Sequence, residues 1–400
     1  MKKTLASETQ PKLKFVTLFP LAENVHLIKD VGMIPCIMAR ELGFDSTLVC
    51  FSRADEMPYL LDEAKPLKVH TIPKNRGYQV YGWPAIGSVR YLLRNARSID
   101  VLHLFHFSSE TIIHSLLYKM LNPRGAVYIK LDYNCNENIT LPRNFILRIK
   151  QSLSFSLRNI FINLVPTLMT VETSMAYEHF LDIYPVAKSL LKIMPNGTDR
   201  AWLDRHGFKE RSKVKKNLVL AVGRIGAYVK NSEMLLNAIS ALDVKDWSFV
   251  FVGTVEPEFR KKVNALFERR PELRSHVMLT GNIDNRTELY EWYTQAKVFC
   301  VTSRSEGFSL AMVDALYFGC YVLTTHINCA EDITDHASLG SIILSEQELQ
   351  DELARIINGE LDIAAKTRRI LEHSNRFCWS NICSDLASWL RPSLIRQCSH

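Results

Sequence analysis

Two short segments in the second half of the chain gather side chains that can hold an anion and a sugar. The first is Leu218–Lys230, LVLAVGRIGAYVK. An apolar strand is predicted to end at Val222. Gly223 and Arg224 follow at once, and Lys230 comes six residues after the arginine. At the mouth of a parallel sheet these two cations would sit where a diphosphate binds. A helix starting near Asn231–Ser232 would aim its positive N-terminus at the same place. Only Gly223 and Gly226 are present, so this is not the G-x-G-x-x-G dinucleotide fingerprint. A surface loop with two solvated cations reads equally well from this segment alone.

The second segment is Thr302–Thr325, TSRSEGFSLAMVDALYFGCYVLTT. A strand is predicted to end near Thr302, with a loop at Glu306, Gly307 and Phe308 and a helix from about Ser309 to Phe318. Glu306 and Asp314 are eight residues apart, close to whole helical turns, so both carboxylates can face one way. Amides at the helix start, Ser309, Leu310 and Ala311, can hold a phosphate or sugar oxygen. Paired acids suit hydroxyl recognition, one for a ribose diol and one for a sugar. Taken alone, a solvated helix aspartate and an N-terminal helix glutamate explain the pair more simply.

Elements of a definite kind must position these groups. Short apolar runs at Lys14–Phe19, Ser46–Phe51, Lys68–Ile72, Val101–Phe105, Val127–Leu131, Thr167–Val171 and Lys192–Met194 read as strands. Helical stretches lie between most of them, such as Ile34–Leu42, with Pro35 in its first turn and Gly43 closing it, and Glu110–Leu121. After the polar stretch Asp204–Lys216 a second series begins. Its strands are Leu218–Val222, Ser248–Val252, Val277–Thr280, Val298–Thr302 and Tyr321–Thr324. Its helices are Ser232–Leu242, Glu258–Phe267, Arg286–Tyr293 and Ala311–Phe318. Such alternation implies two α/β domains with parallel sheets, each Rossmann-like, facing each other across a cleft.

Composition narrows the class. The chain has 400 residues, 47% hydrophobic and 23% charged, enough for two sizeable cores. Its net charge of +7 is spread out, with no dense basic stripe of the kind nucleic-acid binders carry. The nine cysteines form no C-x-x-C pair, which argues against a zinc or redox motif and fits a reducing cytoplasm. The opening MKKTLASETQPKLK lacks the apolar core of a secretory signal, and no run of about 20 apolar residues occurs.

The ordered set of motifs resembles the retaining glycosyltransferases of the GT-B fold, family 4. The matching residues are Val222–Gly223–Arg224, Lys230, Glu306–Gly307–Phe308 and, at the second acid, Asp314. Met194–Asp199, MPNGTD, is similar to the family's P-N-G-x-D at the interdomain linker. Arg376–Asn381, RFCWSN, is similar to its closing F-x-W segment. The likeness covers about residues 190–385 and is specific as an ordered set. One position departs from it: Asp314 stands where the family usually has glutamate, one methylene longer. The resemblance implies a first domain over residues 1–195 and a second over 196–382, with a last helix at about 383–400 crossing back to the first.

It also implies a mechanism. Transfer builds negative charge on the leaving diphosphate. Some transferases neutralise that charge with a metal on an Asp-x-Asp motif, and this sequence has none. Arg224, Lys230 and helix N-termini would stabilise the diphosphate instead, without metal or other cofactor. Glu306 would contact hydroxyls of the transferred sugar. The base would lie near Gly281, Asn282 and Ile283. Family likeness implies retention of configuration.

The first domain would bind the acceptor, a saccharide or a lipid-linked saccharide. Gly32 would allow close backbone approach to the diphosphate or sugar. Asp132 ends the strand that in many family members ends in a catalytic histidine, and it reads as an acceptor-side group or as a strand cap. Lys130 and Glu172 lie at neighbouring strand ends on the acceptor side, as do His103 and His106. A histidine in such a place is more often hydrogen-bonded structure than a base. Leu141–Pro166 combines apolar residues with Arg143, Arg148, Lys150 and Arg158 and has no acid. It fits a helix on the anionic inner face of a membrane, or a core helix with a basic outer side. Two other functions stand beside the transferase: a GT-B-like sugar-nucleotide epimerase, which needs further acid-base groups, and an inactive binding subunit, suggested only by Asp314.

Overall fold

The structure is a computed structural model that describes residues 12–51, 64–74, 83–135, 145–208 and 215–398. The first sheet contains β1 (Lys14–Leu18), β2 (Asp45–Phe51), β3 (Lys68–Ile72), β4 (Val101–Phe105), β5 (Ala126–Lys130), β6 (Leu168–Val171) and β7 (Leu191–Ile193). Their spatial order is β3-β2-β1-β4-β5-β6-β7. The second contains β8 (Lys216–Val222), β9 (Ser248–Val252), β10 (Val277–Gly281), β11 (Ala296–Val301), β12 (Tyr321–Thr325) and β13 (Gly340–Ile343), in the order β10-β9-β8-β11-β12-β13. All described pairings are parallel. Strands buried on both faces need continuous apolar runs, and β4 and β5 are buried at every residue.

Helices α1 (Asn24–Leu27), α2 (Asp30–Arg40), α3 (Ile86–Asn95), α4 (Ser109–Leu121), α5 (Phe145–Leu164) and α6 (Ser174–Ile183) belong to the first sheet. After α7 (Arg200–Arg205), the second sheet is flanked by α8 (Ser232–Ala241), α9 (Pro257–Arg269), α10 (Arg286–Gln295), α11 (Leu310–Tyr317), α12 (Ala330–Thr334), α13 (Glu346–Ile357) and α14 (Thr367–His373). Side-chain caps start several of these. Ser108 accepts from the Thr111 amide, Thr173 from Ala176, and Asn285 from Thr287 and Glu288. The last helix, α15 (Trp379–Cys398), packs Trp379, Leu386 and Leu390 into a cluster with Phe15, Ile34 and Met38 of the first domain. The chain therefore crosses back to where it began. Among the described residues no helix is long and apolar enough to cross a membrane.

Both sheets change winding direction at an inner strand pair, β1 beside β4 and β8 beside β11. Loops on the carboxyl side of such a pair diverge and leave a crevice. Three details differ from the sequence reading. Helix α2 begins at Asp30, so Pro35 lies in its second turn rather than its first. There its missing amide costs a hydrogen bond to Val31. Strand β13, GSII, was too short an apolar run to stand out. Helix α15 starts at Trp379, four residues before the expected 383.

Glycine at position 253 is dictated by sheet geometry. It follows β9 at φ +128°, and a Cβ there would lie 1.9 Å from the Gly223 carbonyl oxygen. Two crevice loops touch backbone to backbone at this point. Gly253→Ala is expected to cost about 2–4 kcal/mol through strain and clash, read as a lower urea midpoint. An unchanged midpoint would contradict the close approach.

Candidate active site

The two chemistry-bearing segments leave neighbouring strands at the second domain's winding switch. Gly223 and Arg224 follow β8, and Thr302–Phe308 follow β11. The loops are tied together. The Thr302 hydroxyl donates to the Asn231 carbonyl (2.9 Å), and the Arg304 amide donates to the Val229 carbonyl (2.8 Å). Thr325 donates its hydroxyl to the Ser303 carbonyl at 2.5 Å. A small cavity between the loops is lined by Gly223, Lys230, Ser232, Thr302, Ser303, Glu306 and Ser309.

Within it, Lys230 Nζ donates to Glu306 Oε1 at 2.7 Å, and the Ser303 hydroxyl donates to the same oxygen. The sequence reading gave these two side chains separate ligands; the structure joins them to each other. Lys230 also crosses Gly223, so that a Cβ there would lie 3.5 Å from its Cε, at a backbone φ of +153°. Arg224 is exposed, and its side chain has no ion-pair or hydrogen-bond partner among the described residues. Ser309 is buried at the N-cap of α11, and its side chain makes no capping bond. Leu310 and Ala311 open that helix. Glu306, Gly307 and Phe308 lead into it, with Phe308 packed on the core edge near Phe377.

Asp314 lies elsewhere in this network. Its carboxylate accepts from the Thr198 hydroxyl in the interdomain linker and from the Tyr290 hydroxyl at 3.3 Å. Burial raises its pKa to about 6, against the opposing pull of Thr198, Arg286 and Tyr290. Next to Thr198, Asp199 receives Arg40 of α2 at 3.0 and 3.2 Å and caps α7. The second acid is thus bonded to the chain segment that joins the domains. Asn282 sits in the exposed loop after β10, with its amide on Asp284 at 2.6 Å. Ile283 packs partly against the core.

The first domain's strand ends face these loops. Asn134 donates to Ser305 (3.3 Å) and accepts from Asn328 (3.3 Å). The Tyr133 carbonyl lies 3.7 Å from where a Cβ on Gly307 would be. Ser174 donates its amide and hydroxyl to Asp332 at 2.9 and 2.6 Å. Asp132 and His106 end adjacent strands 4.0 Å apart. Both are half exposed and both adopt left-handed φ, +47° and +59°. Such conformations cost energy in non-glycine residues and cluster at functional sites.

The acceptor-side expectations divide here. Lys130 and Glu172 are buried and pair at 2.6 Å, so neither can touch an acceptor directly. Burial would lower the Lys130 pKa, but Glu172 and Asp30 outweigh it and keep the ammonium charged. Glu172 also accepts from the Tyr133 amide at 3.1 Å, so the pair anchors the loop after Asp132. His103 is fully buried, stacked on Tyr128 at 4.5 Å and bonded to Thr17, and burial holds it well below the usual histidine range. It is a neutral core residue. Gly32 is buried, and packing alone requires glycine there, because a Cβ would lie 2.4 Å from the Leu27 backbone.

The sequence reading gave no role to several polar groups. Ser303 and Ser232 line the cavity, and their only signal was proximity to the motifs. Asp30, 3.9 Å from Lys130, has a pKa raised to about 6 by burial. Thr198 and Tyr290 hold Asp314; Thr198 fills the variable position of the P-N-G-x-D stretch, and no local pattern marks Tyr290.

The fold is GT-B, and residues 204–376 match the family described as glycosyl transferases group 1. Anabaena HepE in complex with UDP superposes with a TM-score of 0.65 at 15% identity, over 96% of this chain and 100% of that one. The lipopolysaccharide outer core galactosyltransferase WaaB gives 0.66 at 12% identity, over 95% and 99%. In sequence, the chain is 23% identical to the MMP alpha-(1->4)-mannosyltransferase of Mycolicibacterium hassiacum over 240 residues, 58% of this chain and 55% of that protein. It spans about half the length of the curated relatives it matches.

The Asp314 environment gives a pH test. Its folded pKa lies above the ordinary 3.8, so between pH 3.8 and about 6 the native state holds a proton that the unfolded chain has lost. Its contribution to stability therefore falls as pH rises through that window. In Asp314→Asn the fall in urea midpoint between pH 4 and 7 is expected to shrink. An undiminished fall would contradict a buried, proton-holding Asp314.

Proposed function

We propose that this chain is a family 4 glycosyltransferase that moves a sugar from a nucleotide-diphosphate-sugar to a hydroxyl of a saccharide or lipid-linked acceptor, with retention and without metal. The supporting observation is the meeting of Lys230, Glu306 and the start of α11 at the ends of β8 and β11. A diphosphate entering between Arg224 and Lys230 would replace Glu306 as the lysine's counter-charge. Glu306 would then accept hydrogen bonds from the sugar. The amides from Gly307 to Leu310 would face the leaving oxygens. Asp314 would reach the ribose only by giving up Thr198 or Tyr290, and Asn282 and Ile283 would border the base.

The bond from the anomeric carbon to the phosphate oxygen breaks, and a bond to the acceptor oxygen forms. The acceptor's proton must leave, and Asp132 with His106 is the polar pair on that side. We place the reaction in bacterial cell-surface glycan synthesis, in the cytoplasm, with residues 141–166 touching the inner face of the membrane. Of that segment, 141–144 lie outside the described residues. HepE's complexes with UDP and UDP-glucose make a uridine donor the first to try.

UDP-, GDP- and ADP-sugars should be screened by thermal denaturation. The right donor at 100 times its dissociation constant should add about 2.7 kcal/mol. Arg224→Ala and Glu306→Ala should each slow release of nucleoside diphosphate by about 100-fold or more. Unchanged donor binding and turnover in both variants would refute the assignment.

A further inference from the structure

On one side of the first domain, several large apolar side chains are exposed. Helices α3, α4 and α5 lie on the same face of the sheet, and their inner residues Leu92, Tyr118, Phe161 and Ile162 share one core. Among the described residues, nothing covers the apolar side chains on their outer sides. On α5, Leu153, Leu157, Ile160 and Leu164 are exposed by 61, 58, 55 and 71%. Spacings of four, three and four place them on one stripe. Every residue from Ser152 to Leu157 is exposed, so this part of α5 stands clear of the domain. Leu116 and Met120 continue the apolar surface on α4, and Ile86 and Leu93 on α3. Trp83, 80% exposed, precedes α3.

Charge on this face has one sign. Arg90, Arg94 and Arg97 are exposed and form no ion pair among the described residues. Helices α3 and α5 contain no acidic residue, and α4 carries only Glu110, in its first turn. Acids return on the next helix, α6, at Glu178 and Asp182. A second copy of the chain would set these arginines against one another across a two-fold axis. An anionic lipid surface satisfies both properties, because it takes apolar side chains below its headgroups and arginines beside its phosphates.

We infer that the face formed by α3, α4 and α5 docks on an anionic bilayer. This extends the membrane contact beyond residues 141–166 to two further helices, and for its use it rests on the transferase reading. Helices α4 and α5 start at the strand edge that carries His106 and Asp132. Docking there brings the acceptor side of the cleft to the lipid surface, which suits an acceptor saccharide carried on a lipid.

The test is flotation of the full chain with phosphatidylcholine vesicles, with and without phosphatidylglycerol. Binding is expected only to the mixed vesicles, weakened by salt. Leu157→Ser with Leu164→Ser should lower partitioning about tenfold, and Arg94→Glu by a similar factor. The same variants should keep the donor-induced thermal shift of the unaltered protein, which shows that they fold. A missing shift in the unaltered protein would count against the transferase and leave the docking face standing. Three results would overturn the docking face: no binding to mixed vesicles, binding insensitive to these substitutions, or a solution dimer that Leu157→Ser separates into monomers.

Discussion

The arrangement depends on one contact, the ion pair between Lys230 and Glu306. The two residues are 76 positions apart and reach each other only because β8 and β11 are neighbours in the second sheet. That adjacency is a consequence of winding. The chain leaves β8 toward one edge, returns for β11, and leaves a crevice between the loops it abandoned. In the protein without ligand, the carboxylate supplies the counter-charge that the cation needs at this partly buried position. A diphosphate supplies more charge and more acceptor oxygens. In the function proposed here, the pair is a placeholder that a donor would displace.

The surroundings make that exchange local. Thr302 and Arg304 bind the first loop through its backbone carbonyls, and the Gly223–Gly253 contact fixes its base. Side chains can change partner while the backbone keeps its place, which is what preorganised stabilisation of a leaving group needs. On the opposite wall, the buried Lys130–Glu172 pair does comparable work for the Asp132 loop. Asp314 joins the second domain to the linker through Thr198, and the adjacent Asp199 joins the linker to α2 through Arg40. Any ligand that takes Asp314 away from Thr198 acts directly on the chain between the domains.

Much of the scaffold was legible in the sequence, for a physical reason. Parallel strands covered on both faces must be apolar throughout, so Val101–Phe105 and Ser248–Val252 could be read to the residue. β13 escaped because four residues at a sheet edge carry too little signal. The two segments that meet at the cavity were legible because each is short and continuous in sequence. Strand-end polar residues were not. A lysine at the end of β5 points to the cleft or into the core according to a partner 42 residues away, and Glu172 draws it inward. His103 took the structural role that a strand-end histidine more often has, stacked on Tyr128, and the Leu27 backbone, out of reach of any local pattern, is what requires glycine at position 32. Asp314 kept its place in the helix, but its partners Thr198 and Tyr290 lie far away in sequence.

In the proposed function a donor diphosphate takes the place Glu306 now holds on Lys230. A crystal structure with a bound nucleotide-diphosphate-sugar tests this most directly. The expected result has diphosphate oxygens within about 3.2 Å of both the Arg224 guanidinium and Lys230 Nζ. Glu306 would then be drawn off the lysine and hydrogen-bonded to the sugar. A donor bound elsewhere in the cleft, with the 2.7 Å Lys230–Glu306 contact intact, would contradict it.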